Sequence, residues 1–187
     1  MPSIIAVDHS AELGGAEIGF LNMVRRLGAE EVLPVVLEEG PLVDGLRAAG
    51  CAPVVWPEIN AAIGGGLAAG RYGPGRALDL YRAAKVFRNL LVELVAKTSA
   101  TSVLFNSSRA TLLGASGGLP PTCNRVVMVR DSPSPPYLSF LRSVVAKSAI
   151  ARASTAIIAN SAWTARQIGG GREIGVVAPF IDERFFT

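Results

Sequence analysis

Ile4-Ile5-Ala6-Val7-Asp8-His9-Ser10-Ala11-Glu12-Leu13-Gly14-Gly15-Ala16-Glu17 is the stretch that decides the fold. Its first four residues are an apolar run with the length and β-branched content of one buried strand. Polar residues and a glycine pair come next. Phe20, Leu21, Val24 and Leu27 then recur at helical spacing, so a helix opens at or near Gly14. A strand, a glycine turn and a helix N-terminus together offer backbone N–H groups and partial positive charge to an anion. Glu17 falls between Phe20, Leu21 and Val24 on the helical wheel. A carboxylate inside an apolar stripe needs a local partner or a polar cleft, and the first helical turn favours negative charge.

Outward from this unit, strand-like and helix-like segments alternate. Val32–Leu37 and Ala52–Trp56 read as strands around a short helix, Pro41–Ala49, with proline early and Gly50 after its end. Six glycines from Ala61 to Gly75 interrupt the rhythm, which marks a functional or mobile loop. A long helix, Gly75–Lys97, follows with Leu80, Ala84, Phe87, Leu91 and Leu94 on one face and Arg82, Lys85 and Arg88 on the other. Thr101–Phe105, Arg125–Val129, Thr155–Ala159 and Gly175–Ala178 are further strands. A helix from Tyr137 to Ala153 is expected to turn Leu138, Leu141 and Val145 inward, and Ser161 is placed to cap the helix after Asn160. This order predicts an α/β fold with a doubly wound, mostly parallel, Rossmann-like sheet in one domain over residues 1–187.

Composition narrows the function classes. No apolar stretch is long enough to span a membrane, and no basic segment precedes Ile4 as in a signal peptide. Cys51, Cys123 and one histidine have no metal-type spacing, so reduced thiols and a cytoplasmic location are expected, with no metal. Residues 1–60 carry a net −6 and residues 61–187 a net +9. A basic second part suits a phosphorylated ligand or the inner face of an anionic membrane. Without interleaved aromatic and basic residues, nucleic acid is not an expected partner.

Polar residues gather at the carboxyl ends of the expected strands: Asp8 and His9, Glu38, Asn106, Arg130 and Asp131, and Asn160. In an open parallel sheet those ends share the edge where ligands bind. Asn106 and Asn160 are also natural helix caps, Asp131 a cap of the proline loop, and His9 a partner of nearby backbone. Arg130, a charged strand end before Ser132–Pro136, points to an anionic partner. The dinucleotide fingerprint, the P-loop and the G-x-S-x-G elbow are all absent.

Five pieces resemble, in order, the amino-terminal domain of the GT-B glycosyltransferases of family 4. They are Asp8–Glu17, Phe105-Asn106-Ser107, Val129-Arg130-Asp131, Ile158-Ala159-Asn160-Ser161, and the run Val177–Phe185 that leads toward an interdomain linker at 179–187. The resemblance implies two Rossmann-like domains with the active site between them. The first holds the acceptor, and the second holds most of a nucleotide-sugar and a paired-glutamate motif. The chain is then expected to be a fragment without its carboxyl-terminal donor domain, and inactive alone.

By the same resemblance, transfer from the nucleotide-sugar to a sugar or lipid-linked acceptor retains configuration and needs no cofactor or divalent metal. Gly14 and Gly15 would face the donor phosphates, and Arg130 and Asp131 would be the catalytic candidates. His9, Glu17, Asn106 and Asn160 would line the acceptor cleft. Arg130 stands where many members carry histidine, which preserves a role for positive charge but not one for imidazole. The glycine-rich loop and the basic helices are candidates for peripheral membrane contact. The competing class is a non-catalytic α/β module that binds a small anion in the same crevice. A sugar-nucleotide epimerase would call for more acid–base groups than a single histidine allows.

Overall fold

The computed structural model describes residues 1–61, 74–169, 171 and 173–178, with the side chains of 74–77 left aside. The elements in order are β1 (Ile4–Asp8), α1 (Gly15–Leu27), β2 (Val32–Val36), α2 (Pro41–Ala48) and β3 (Val54–Val55). After them come α3 (Pro74–Thr98), β4 (Ser102–Phe105), α4 (Ser108–Gly114), β5 (Asn124–Val129) and α5 (Phe140–Ala153). β6 (Ala156–Ala159), α6 (Ala162–Ile168) and β7 (Ile174–Val176) complete the series. The seven strands form one sheet in the order β3-β2-β1-β4-β5-β6-β7, and every pairing is parallel. This is a doubly wound, Rossmann-like α/β fold. Strand order reverses between β1 and β4, so a crevice opens there beyond the strand ends.

The pleat sorts side chains into two cores. Ala6 and Leu104 face α1 and α2, packing with Phe20, Leu21, Val24, Leu42, Val43 and Leu46. Val7, Phe105, Val127 and Ala159 face the other way, onto Phe87, Leu91 and Val95 of α3 and onto Leu113 and Ile150. Phe20, Phe87 and Phe105 are wholly buried, each contributing about 1.5–3 kcal/mol of transfer free energy. α4 lies tightly on β4: a Cβ at Gly114 would sit within 2.5–2.9 Å of three atoms of the Phe105 ring. Gly28 closes α1 with φ +88, its N–H donating to the Val24 carbonyl at 2.9 Å, and Gly50 follows α2 with φ +81.

Most segments fall where periodicity puts them, with strand ends displaced by at most two residues in either direction. The face of α5 is a correction. The helix starts at Phe140 after a Ser139 cap position, not at Tyr137, and it buries Ser143, Ala149, Ile150 and Ala153. Leu141 and Val145 point outward, 76% and 56% exposed, and Leu138 is half-buried. The reason is packing distance. α5 rests closely on α4, and small side chains permit that approach where leucines would hold the helices apart. Because α5 is apolar on both faces, periodicity alone could not select the inner one. On α3, Arg82 and Lys85 are exposed as expected, whereas the Arg88 stem packs at Gly118. Residues 62–73 of the glycine-rich loop and the expected linker (179–187) lie outside the described residues.

Candidate functional site

Asp8, Asn106, Arg130 and Asn160 end, or directly follow, β1, β4, β5 and β6. Each stands two residues beyond a side chain on the α1/α2 side of the sheet: Ala6, Leu104, Met128 and Ile158. Side chains alternate along strands, so these four polar groups continue that face past its last apolar layer. Asp8, Asn106 and Arg130 are joined beside the reversal of strand order, and Asn160 adjoins them through the Arg130 backbone.

Asp8 is the hub and is fully buried. One carboxylate oxygen accepts the backbone N–H groups of His9 at 2.7 Å and Ser10 at 3.4 Å. The other accepts the Asn106 amide N–H. Asn106, 1% exposed, accepts through its oxygen from an Arg130 terminal N–H at 2.8 Å. Asn160 donates to the Arg130 backbone carbonyl at 2.8 Å and accepts from the Thr164 hydroxyl at 2.7 Å. Neither asparagine caps a helix. The caps are the next residues: the hydroxyls of Ser107 and Ser161 accept from the N–H groups of Ala110 and Thr164.

Arg130 lies across α1. A Cβ on Gly19 would approach one of its terminal nitrogens to 3.0 Å, so glycine lets the guanidinium lie against this turn of the helix where any side chain would push it back by a few tenths of an ångström. Burial lowers the Arg130 pKa from its usual value, while the carboxylates of Asp8, Glu17 and Asp131 oppose the shift. Its Nε is buried without a hydrogen-bond partner. A charged group so placed, bonded through Asn106 and short of one acceptor, is suited to receiving an anionic or hydroxyl-bearing ligand.

The opening loop forms the other wall. Gly14 is the N-cap residue of α1 and brings no side-chain cap. A Cβ added at Gly15 would meet nothing within 4 Å, so space is open in front of this helix start. The Glu17 carboxylate folds back on the same turn, 2.8 Å from where a Gly14 Cβ would lie. That placement answers the wheel position: the group leaves the apolar stripe for the positive end of its own helix. Glu38, at the end of the second strand unit, holds the loop from below. Its carboxylate accepts the Ala11 N–H at 2.9 Å and the Asn60 amide at 2.5 Å.

Of the candidate residues, Asn106, Arg130 and Asn160 are joined by hydrogen bonds, and Gly14, Gly15 and Glu17 form the adjacent helix start. His9 enters the network through its backbone N–H alone: its Nδ1 is 3.4 Å from an Asp8 oxygen but makes no hydrogen bond. Asp131 is exposed at the rim. Among the described residues no three His, Cys, Asp or Glu side chains come together as a metal site would require. Sequence reasoning missed Gly19, and it noted Asp8 without making it the hub. A glycine one position before the fully buried Phe20 was the available signal for the first. An aspartate closing an apolar strand was the signal for the second.

The fold and the crevice at the strand reversal define a Rossmann-like α/β domain. No protein-family model matches the chain, and no curated protein matches it in sequence. Among solved structures it is similar to HepE from Anabaena. The UDP complex of HepE superimposes with a TM-score of 0.71 at 18% identity, over 100% of this chain and 46% of that one. The complex with UDP and glucose gives 0.68 at 18% identity, and that with UDP-glucose 0.67 at 16%. At such identities the likeness is one of fold, and this chain spans less than half the length of HepE.

Proposed function

We propose that this chain is the first, acceptor-side domain of a GT-B glycosyltransferase. The whole enzyme moves a sugar from a nucleotide-sugar to a sugar or lipid-linked acceptor, with retention of configuration as in family 4. The observation that carries the reading is the convergence at the strand reversal of an uncapped glycine helix start with the Asp8–Asn106–Arg130 chain. That HepE, with the same fold, has been solved with UDP and with UDP-glucose supports it. The Gly14 and Gly15 amides face the donor diphosphate and stabilise charge on the leaving group. Arg130 supplies a fixed positive charge at the cleft floor, and Asp131, Asn106 and Asn160 line the acceptor side. In this reading residues 179–187 begin the interdomain linker, and the donor domain lies beyond them in the same polypeptide.

The test is calorimetric titration with UDP-, GDP- and ADP-sugars, together with transfer and hydrolysis assays on the product of the complete reading frame. We expect one nucleotide class to bind and to turn over. Gly15→Val should weaken binding at least tenfold while leaving the fold intact, since the space at that Cβ is open. Binding of simple anions without nucleotide-sugar turnover would instead assign the crevice to a non-catalytic module.

A further inference from the structure

The outward face of α5 is apolar where a surface helix is normally polar. Phe140 is 74% exposed, Leu141 76%, Val144 50% and Val145 56%. Tyr137, before the helix, and Trp163, on α6, extend this surface, and their rings meet edge to face with centroids 5.8 Å apart. An unpartnered apolar surface of this kind marks an interaction site. Its charge identifies the partner. From Ser132 to Gly171 the sequence holds Arg142, Lys147, Arg152 and Arg166 and no acidic residue. The exposed Arg152 and Arg166 and the half-buried Lys147 are on the same two helices as the apolar face.

Apolar side chains with aromatic rings at their margin and cations alongside are the make-up of a helix that lies in a bilayer interface. No helix among the described residues is long and apolar enough to cross a membrane, so the contact is one of surface docking. We propose that this face docks on a bilayer containing anionic phospholipid. Phe140, Leu141, Val144 and Val145 enter the headgroup boundary, Tyr137 and Trp163 lie at its level, and the basic groups pair with lipid phosphates. α5 and α6 both begin at the carboxyl edge of the sheet, so docking sets the crevice of Arg130 beside the membrane surface. The inference does not depend on the crevice being a transferase site.

Vesicle flotation tests it, using phosphatidylcholine alone and phosphatidylcholine mixed with phosphatidylglycerol. The chain should float with the anionic vesicles at low salt and be released as salt rises. Leu141→Glu and Phe140→Glu should each weaken flotation at least tenfold. Both positions are solvent-exposed, so circular dichroism should show the variants folded. Arg152→Gln combined with Arg166→Gln should weaken binding and flatten its salt dependence. Trp163 supplies an independent signal, because Trp56 is only 8% exposed. Its emission should shift to the blue on anionic vesicles and be quenched by brominated lipid. Absence of flotation, or flotation unchanged by the Glu substitutions, overturns the proposal. So does a dimer in light scattering that Leu141→Glu dissociates while vesicles go unbound, which would give the face to a second copy of the chain.

Discussion

Asn106 uses both halves of its amide at once, donating to a buried carboxylate and accepting from a guanidinium. Asn106→Leu removes both bonds and leaves Asp8 and Arg130 facing each other with unmet polar atoms. Loss of about 2–4 kcal/mol is expected in urea unfolding. Gly19 separates stability from function. Gly19→Ala adds helix propensity of up to about 1 kcal/mol, and the atom it crowds is the movable end of Arg130. The variant should unfold no earlier than the parent, yet bind ligand less well because the guanidinium is displaced. Burial raises the pKa of both thiols, with Arg125 opposing the shift at Cys123. A raised thiol pKa keeps the folded form protonated while the unfolded thiol ionises. Stability from this source is complete below the ordinary value of 9.0 and is lost as pH rises through the folded pKa. Cys123→Ala should therefore flatten the alkaline decline in melting temperature.

Ser107 and Ser161 show how little sequence aims an element. Each follows a strand-end asparagine, and each satisfies one N–H at the start of a seven-residue helix. The asparagines are thereby free to turn into the cleft. Ser161→Ala should cost about 1 kcal/mol and, through the Asn160–Thr164 contact, loosen the hold on the Arg130 carbonyl. Thermal melts of the single and double variants with Asn160→Ala would show coupling between the two sites rather than simple addition. The strands were legible because each apolar run is short and closes at a polar residue or a proline. α1 was legible because one stripe is apolar, and its glycine start was read correctly. α5 was not, since local pattern carries no record of how closely α4 approaches. The contact of Arg130 with Gly19 was equally hidden, because it joins residues far apart in sequence through a packing distance.

For the whole molecule, the reversal of strand order puts β1 and β4 at the centre of seven strands and leaves two-residue β3 and three-residue β7 at the edges. Amide exchange should be slowest in Ile5–Val7 and Val103–Phe105 and fastest in β3 and β7. Uniform protection across the sheet would contradict this gradient. The alternating order of elements was enough to foresee the sheet, whereas the interior sharing of charge among four strands needed the structure. The pleat that lines up Asp8, Asn106, Arg130 and Asn160 also sets what kinds of genetic change the site can survive. Inserting or deleting one residue in β5 would swing Arg130 to the opposite side of the sheet, while a point substitution leaves the direction untouched. Length is therefore constrained in the strands that end at the crevice. The connections at the far edge, such as Gly117–Thr122, hold none of these groups and can lengthen or shorten without redirecting any of them.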